Sequence, residues 1–184
     1  MQERVSQSYN VTEFVKTYPL FSKNQCDQMI EMYDKDLLEA TSATPVGNRV
    51  MKKHRDCGVK IIKQNKLLED LLQDAINIYR NRFSFVPPVK RIDSQFLKYN
   101  VEGRFNTHVD HYEGAARTLS ISVMLNDEYM GGQFQFWNDI GDTIIKEVQP
   151  VTGDVLIFPS NFLFPHSVAP ITFGTRYAIV NWYN

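Results

Sequence analysis

The stretch Thr118-Leu119-Ser120-Ile121-Ser122-Val123-Met124-Leu125 alternates strictly between two kinds of side chain. Successive residues of a strand point to opposite faces. Leu119, Ile121, Val123 and Leu125 therefore form one apolar face, and Thr118, Ser120, Ser122 and Met124 form the other. The first face belongs in a core. The second meets water or a polar cavity, and solvent is the default for such a strand taken alone.

Segments of the same character surround it. Residues 96–100, 133–138, 143–148, 154–159 and 176–182 are short and rich in branched or aromatic side chains, and the alternating strand itself extends over 118–126. Glu102-Gly103, Gly131-Gly132, the turn at 138–141 and Thr152-Gly153 punctuate them. Many short strands at this spacing predict a sandwich or barrel with helices packed outside.

The first third reads differently. Ser22 followed by Gln25 is a capping-box pattern, and Cys26, Met29, Ile30, Tyr33 and Leu37 then recur at helical spacing. A second helix is predicted over 65–82, with Leu68, Leu71, Leu72, Ala75, Ile76 and Tyr79 on one face and Pro87-Pro88 beyond it as a stop. Between them, 41–58 lacks periodicity and contains Pro45, Gly47 and Gly58, so it reads as a loop with room for short strands. The expectation is one domain over 1–184, with helical support at about 22–82 and a β core at about 89–184. Its fold class is mainly β with supporting α-helices.

Composition excludes several classes. Twenty basic against 21 acidic residues leave a net charge of -1, without the basic footprint of a general nucleic-acid binder. No run of 18 apolar residues offers a membrane span, and residues 1–9 lack the apolar centre of a signal peptide. Cys26 and Cys57 form no disulfide framework, so reduced thiols in a cytoplasmic setting are expected.

His108-Val109-Asp110 sets two ligand-type side chains on one face of an extended segment. His166, after Pro165 near the start of a late strand, is the candidate third ligand. Two imidazoles and one carboxylate leave open coordination positions, the facial arrangement of non-haem Fe(II) oxygenases. Zinc more often takes a closed tetrahedral set or thiolates, and neither cysteine stands at ligand spacing. A His-x-Asp pair alone is a weak signal. His111 alternates away from the ligand face, and His54, in the loop, is expected at the surface. Arg176, ten residues after His166, opens the last strand with Trp182 on its own face. A guanidinium there suits the second carboxylate of an iron-chelating keto diacid.

Five blocks carry a resemblance to a family. Tyr99 to Asp110, with Gly103, Phe105 and His108 inside it, comes first. Gly131-Gly132-Gln133-Phe134-Gln135-Phe136 and Gly153 to Phe158 follow, then Pro165-His166-Ser167-Val168, and last Gly174 to Trp182. In order and approximate spacing they resemble the prolyl 4-hydroxylase-like branch of the 2-oxoglutarate/Fe(II)-dependent oxygenases, over nearly the whole chain from Tyr18. The resemblance implies a double-stranded β-helix (jelly-roll) core, with His108, Asp110 and His166 as catalytic metal ligands. It also implies a cosubstrate pocket lined by Arg176, Tyr99, Ser122, Met124 and Trp182, with Ser120 on the same polar face. Fe(II), 2-oxoglutarate and O2 are the implied cofactors, with ascorbate as an accessory. The implied reaction is hydroxylation of a C–H bond with release of succinate and CO2. Arg176 stands where many relatives have Lys, and Phe105 where some have Tyr.

The substrate implied first is a peptidyl proline within a protein or peptide; a free amino acid or other small molecule is the alternative enzyme reading. A non-catalytic metal-dependent sensor or binding module is the other class. Neither nucleic acid nor membrane is an expected partner. The basic run Arg49, Lys52, Lys53, His54 and Arg55 lies within 41–58, where the family often has a mobile lid. A solvated charge run is the default reading there, and a lid clamping an acidic or extended peptide is the alternative.

Overall fold

In the computed structural model, which describes residues 10–44, 47–138, 140–149 and 151–184, every residue of the alternating strand from Leu119 to Leu125 is buried. Its two faces separate as the alternation requires. Leu119, Ile121, Val123 and Leu125 join a core with the helices, while Met124 joins a second core on the opposite side.

The early strands are β1 Lys16–Pro19, β2 Leu38–Glu39, β3 Thr41–Thr44, β4 Gly47–Val50, β5 Arg55–Asp56 and β6 Gly58–Ile61. Then come β7 Arg91–Tyr99, β8 Arg104–His108, β9 Leu119–Met124, β10 Met130–Gly131 and β11 Phe134–Trp137. The last are β12 Ile144–Val148, β13 Asp154–Pro159, β14 His166–Val168, β15 Ile171–Phe173 and β16 Arg176–Tyr183. Two helices, α1 Lys23–Tyr33 and α2 Lys66–Arg82, complete the frame. A seven-stranded sheet runs β1-β13-β9-β16-β7-β6-β2 and a five-stranded sheet runs β12-β11-β14-β8-β5. All the pairings that build both sheets are antiparallel.

The helices form for the reasons their sequences give. Ser22 accepts from the Gln25 backbone N–H while the Gln25 side chain accepts from Ser22, closing the capping box at the start of α1. Caps of this kind contribute about 1 kcal/mol. Asn65 caps α2 in the same sense, accepting from the Leu68 N–H. Leu68, Leu72, Ala75, Ile76 and Tyr79 of α2, with Cys26, Met29 and Tyr33 of α1, press onto Phe96, Leu119, Ile121, Val123, Val155, Ile157 and Ile179 of the large sheet. The opposite face of that sheet, with Leu97, Tyr99, Met124, Leu156 and Phe158, meets Phe134, Phe136 and Val168 of the small sheet. Two antiparallel sheets packed face to face with helices on the outside are the jelly-roll arrangement.

Three local expectations change. The 41–58 stretch is not a bare loop: β3 and β4 pair as a hairpin, β5 joins β8, and β6 joins β7. Lys16–Pro19 is a strand although its sequence carries no apolar alternation; it lies at a sheet edge, where Pro19 is tolerated. The helical spacing that included Leu37 stops at Tyr33. The turn residue Pro45, part of the 138–141 turn and the stretch 1–9 lie outside the described residues. Among the described residues no helix is long and apolar enough to cross a membrane.

Gly153 fixes the junction between the N-terminal segment and the large sheet. Its carbonyl accepts from both Leu20 and Phe21, its N–H reaches the Met124 carbonyl, and its φ is 90°. A Cβ there would stand 2.0 Å from the Phe21 carbonyl oxygen. We expect Gly153→Ala to cost at least about 2 kcal/mol, lowering Tm by about 4–8 °C; an unchanged calorimetric Tm would contradict this account of the junction.

Candidate metal centre

The two histidines meet because of strand register. In the antiparallel pairing of β14 with β8, His166 lies directly opposite His108, and the ring centroids are 4.3 Å apart. Asp110 follows just past the end of β8 rather than within it, a departure from the uninterrupted strand that the spacing suggested. It still arrives at the same point. One ligand atom each from His108, Asp110 and His166 lie within 4.8 Å of one another. Asp110 Oδ1 is 3.7 Å from His108 Nε2, and Oδ2 is 3.5 Å from His166 Nε2.

The tautomers follow from the neighbours. His108 Nδ1 lies 2.8 Å from the Asn106 carbonyl, and His166 Nδ1 lies 3.0 Å from the Phe164 carbonyl. A carbonyl can only accept, so each Nδ1 carries the proton and each Nε2 turns its lone pair inward. Aromatic packing fixes the rings: Phe105 stacks on His108 at 3.6 Å, and Phe134 stacks on His166 at 5.2 Å. Burial, reinforced by the positive charge His166 would add, pushes His108 down to about 3, so its imidazole is neutral and metal-competent near neutral pH.

Asp110 is held with equal care. Ser120 donates to its Oδ2 at 2.6 Å, and Ser160 lies 2.7 Å from the Ser120 hydroxyl. Ser120 has one proton and spends it on the carboxylate, so Ser160 donates to Ser120. Burial acts to raise the Asp110 pKa, but His166 and His108, with hydrogen bonds from Ser120 and Trp182, outweigh it and hold the carboxyl below its ordinary value. The polar face of the alternating strand thus has its first task, supporting a ligand.

The other polar-face residues surround a cavity behind the metal cluster. β16 pairs with β7 and β9 so that Arg176 lies opposite Tyr99, Val180 opposite Ser122 and Trp182 opposite Ser120. Tyr99, Ser122, Arg176 and Trp182 all line the cavity that also contains His108, Asp110 and His166. Met124 stands beside it, its sulfur 3.5 Å from Arg176 Nη2. Arg176 is only 1% exposed. Its Nε–H has no partner, and among the described residues no carboxylate lies within ion-pair distance of it. The guanidinium lies 5.2 Å from the Tyr99 ring centre. A buried guanidinium in this state calls for an anion.

Four residues escaped the sequence reading. Tyr129, whose buried hydroxyl also has no hydrogen-bond acceptor in reach, packs beside Gly132, where a Cβ would come within 2.9 Å of its ring and 3.1 Å of Arg176 Cδ. The Gly131-Gly132 pair was the available signal for it. Arg55 and Arg117 are largely buried and border the triad. His54, expected at the surface, is half-buried and meets His108 edge-on at 6.5 Å. His111 is exposed and turned toward the Arg117 carbonyl, away from the ligands.

The donor set of two imidazoles and a carboxylate fits a divalent iron, and Arg176, without a carboxylate partner among the described residues, fits an oxo diacid in the same cavity. Residues 94–184 match the family model described as the 2OG-Fe(II) oxygenase superfamily. A PKHD-type hydroxylase of Stenotrophomonas maltophilia is 31% identical over 109 residues, covering 54% of this chain and 46% of its own length. The chain thus spans about half the length of such curated relatives. A Pseudomonas putida prolyl-4-hydroxylase superposes with a TM-score of 0.71 at 19% identity, covering 93% of this chain and 92% of that one. A Trichoplax adhaerens prolyl hydroxylase, in complex with a hypoxia inducible factor peptide fragment, gives 0.72 at 17% identity, over 94% and 84% of the two chains. These likenesses extend the jelly-roll fold over nearly the whole chain. In its sequence match over residues 94–184, its jelly-roll fold and its His-Asp-His centre, this chain is similar to the 2OG-Fe(II) oxygenase superfamily.

Proposed function

We propose that the chain is a 2-oxoglutarate- and Fe(II)-dependent dioxygenase that hydroxylates a C–H bond, with a peptidyl proline as its substrate. The observation that carries this reading is the pairing of an inward-facing His108–Asp110–His166 cluster with a fully buried, acid-free Arg176 at the far end of the same cavity. Bound iron and 2-oxoglutarate would supply oxidative decarboxylation to succinate and CO2, coupled to oxygen insertion into the substrate. The protein supplies the rest. His108 and His166 present their Nε2 atoms; Ser120 and Ser160 orient Asp110. Arg176 would receive the distal carboxylate, with Tyr99 held protonated beside it because burial pushes its hydroxyl up. Phe134, Phe158, Val168 and Val180 keep that region apolar and limit water.

Uncoupled 2-oxoglutarate turnover by the Fe(II)-loaded protein separates this reading from a non-catalytic module. His108→Ala, Asp110→Ala and His166→Ala should each abolish turnover while leaving far-UV circular dichroism unchanged. Activity equal to the parent after anaerobic Fe(II) reconstitution, in any of the three, would refute the centre.

Arg176→Met should raise the apparent 2-oxoglutarate constant at least about tenfold, since one charge-assisted contact of roughly 1.5–3 kcal/mol is lost. Fe(II) affinity should change far less, and Arg176→Lys should recover part of the loss. Charge-transfer absorption on adding 2-oxoglutarate to the Fe(II) protein under argon reads this directly; a parental titration curve for Arg176→Met places the pocket elsewhere.

Within 41–58, β5 and β6 are tied into the two sheets, which leaves the β3–β4 hairpin as the segment able to act as a lid. Limited proteolysis should cut there in the substrate-free protein and slow with a true peptide substrate; cleavage at the same rate in both would remove the lid from the mechanism.

A further inference from the structure

A second cavity, about 420 Å³, opens in front of the metal cluster. Thr41, Ser42, Arg55, Asp93, Gln95 and Arg117 line it together with the triad residues His108 and Asp110. Arg55 comes from β5 at the edge of the small sheet and crosses to the large one. Its Nη1 donates to the Thr41 carbonyl at 3.2 Å and its Nη2 to Gln95 Oε1 at 3.1 Å. Both acceptors are neutral. The residue is 8% exposed, its Nε–H is unpartnered, and among the described residues it forms no ion pair.

Nor is Arg55 alone in this. Among the described residues six buried side-chain polar atoms have no hydrogen-bond partner, and three of them, Ser42 Oγ, Arg55 Nε and Arg117 Nε, belong to this one cavity. Native proteins rarely leave such groups unpaired, and a cluster of them asks for an explanation. The carboxylates at hand do not supply it. Asp110 faces the two histidines and Ser120, and its Oδ1 lies 3.8 Å from Arg117 Nη1, which leaves Arg55 without a carboxylate and the Arg117 Nε–H unpartnered. Asp93 reaches Arg55 only through Gln95, whose Nε2 donates to Asp93 at 2.8 Å. Arg117 lies over the Trp182 ring at 3.9 Å and donates to the Asp110 carbonyl.

We infer that this cavity selects a substrate bearing a carboxylate, which Arg55 binds beside the metal while Arg117 flanks it. The inference rests on the oxygenase reading for its chemistry and names the substrate class of that same site. Arg55 borders the inner cavity that contains Arg176 as well as this one, and its hydrogen bonds to Thr41 and Gln95 hold it at the outer one. Arg176 lies opposite Tyr99, and Arg55 bonds Gln95, four residues along the same strand or about 13 Å by strand rise. Asp93 at the same mouth disfavours a doubly charged anion such as phosphate and leaves a singly charged carboxylate as the fitting group. That carboxylate has two sources: the α-carboxylate of a free amino acid, whose ammonium Asp93 would accept, or an acidic side chain beside the target residue of a peptide.

Two matched probe pairs separate the sources: L-proline against L-prolinamide, and acetyl-Pro-Asp-amide against acetyl-Pro-Asn-amide. Each is titrated calorimetrically under argon into the full chain loaded with Fe(II) and 2-oxoglutarate. In at least one pair the carboxylate member should bind at least about tenfold more tightly, and Arg55→Met should reduce that preference below about threefold. Preference in the first pair identifies a free amino acid, and in the second an acidic peptide. Equal or absent binding in both pairs overturns the proposal, as does a preference that survives Arg55→Met. Arg55→Gln serves in the same comparison if the Met variant melts early, and the comparison within the parent protein needs no variant at all. Failure of the oxygenase reading shows separately, as a missing charge-transfer absorption before any probe is added, and the calorimetric preference still decides the carboxylate site.

Discussion

The large sheet is buried on both faces, and the site is a consequence of that constraint. Its central strands have nowhere to show a polar side chain to bulk water, since α1 and α2 cover one side and the small sheet covers the other. Buried polar groups must be satisfied by the protein or by a ligand. On the helix side the sheet offers mostly apolar side chains, apart from Ser94 and Asn181, which satisfy each other. On the inner side it offers Ser120, Ser122 and Arg176, and only Ser120 finds protein oxygens as partners. The sandwich is apolar where it needs to cohere and polar where ligands enter.

The small sheet contributes precision of a different kind. Cross-strand pairing of His166 with His108 sets the separation of the two rings before any metal arrives. Backbone carbonyls choose the tautomers and stacked phenylalanines restrict the ring planes. The cost falls on the metal-free protein. With His108 depressed to about 3, the unfolded chain binds more protons than the folded one between that value and the ordinary 6.5. Stability from this group is present above about 6.5 and is lost as pH falls toward 3. A fold that keeps this imidazole neutral when empty is already arranged to receive a cation.

Periodicity and spacing revealed the parts of this design that follow local rules. The alternation of 118–125 disclosed both faces of β9, and the capping box disclosed the start of α1. The two-residue spacing of His108 and Asp110 kept both ligands on one side even though β8 ends at His108. Arg176 and Trp182 shared a face because β16 is regular. What stayed hidden depended on long-range placement. Arg55 looked like one more member of a basic run; it is buried because β5 pairs with β8 and carries it to the barrel mouth, while Lys52 and Lys53 beside it remain exposed. Arg117 lies in a segment without periodicity and is held by Trp182, 65 positions away. Tyr129 acquires its place through the left-handed backbone at Gly131 and Gly132, whose φ values of 78° and 68° let the chain approach Arg176.

The distribution of charge along the cavity links these observations. A metal dication in front of Asp110 would leave the centre with a net positive charge even after the carboxylate is counted, and the Arg55 and Arg176 guanidiniums both line the cavity that contains it. Two buried cations near a third would repel strongly if all stayed unpaired in a low-dielectric interior. The arrangement is therefore incomplete as protein alone. An oxo diacid at Arg176 would neutralise that guanidinium and part of the metal, and it would leave Arg55 as the remaining positive group at the mouth. Anions would then be drawn in sequence, the deeper position first because it is the more enclosed and the outer one afterwards.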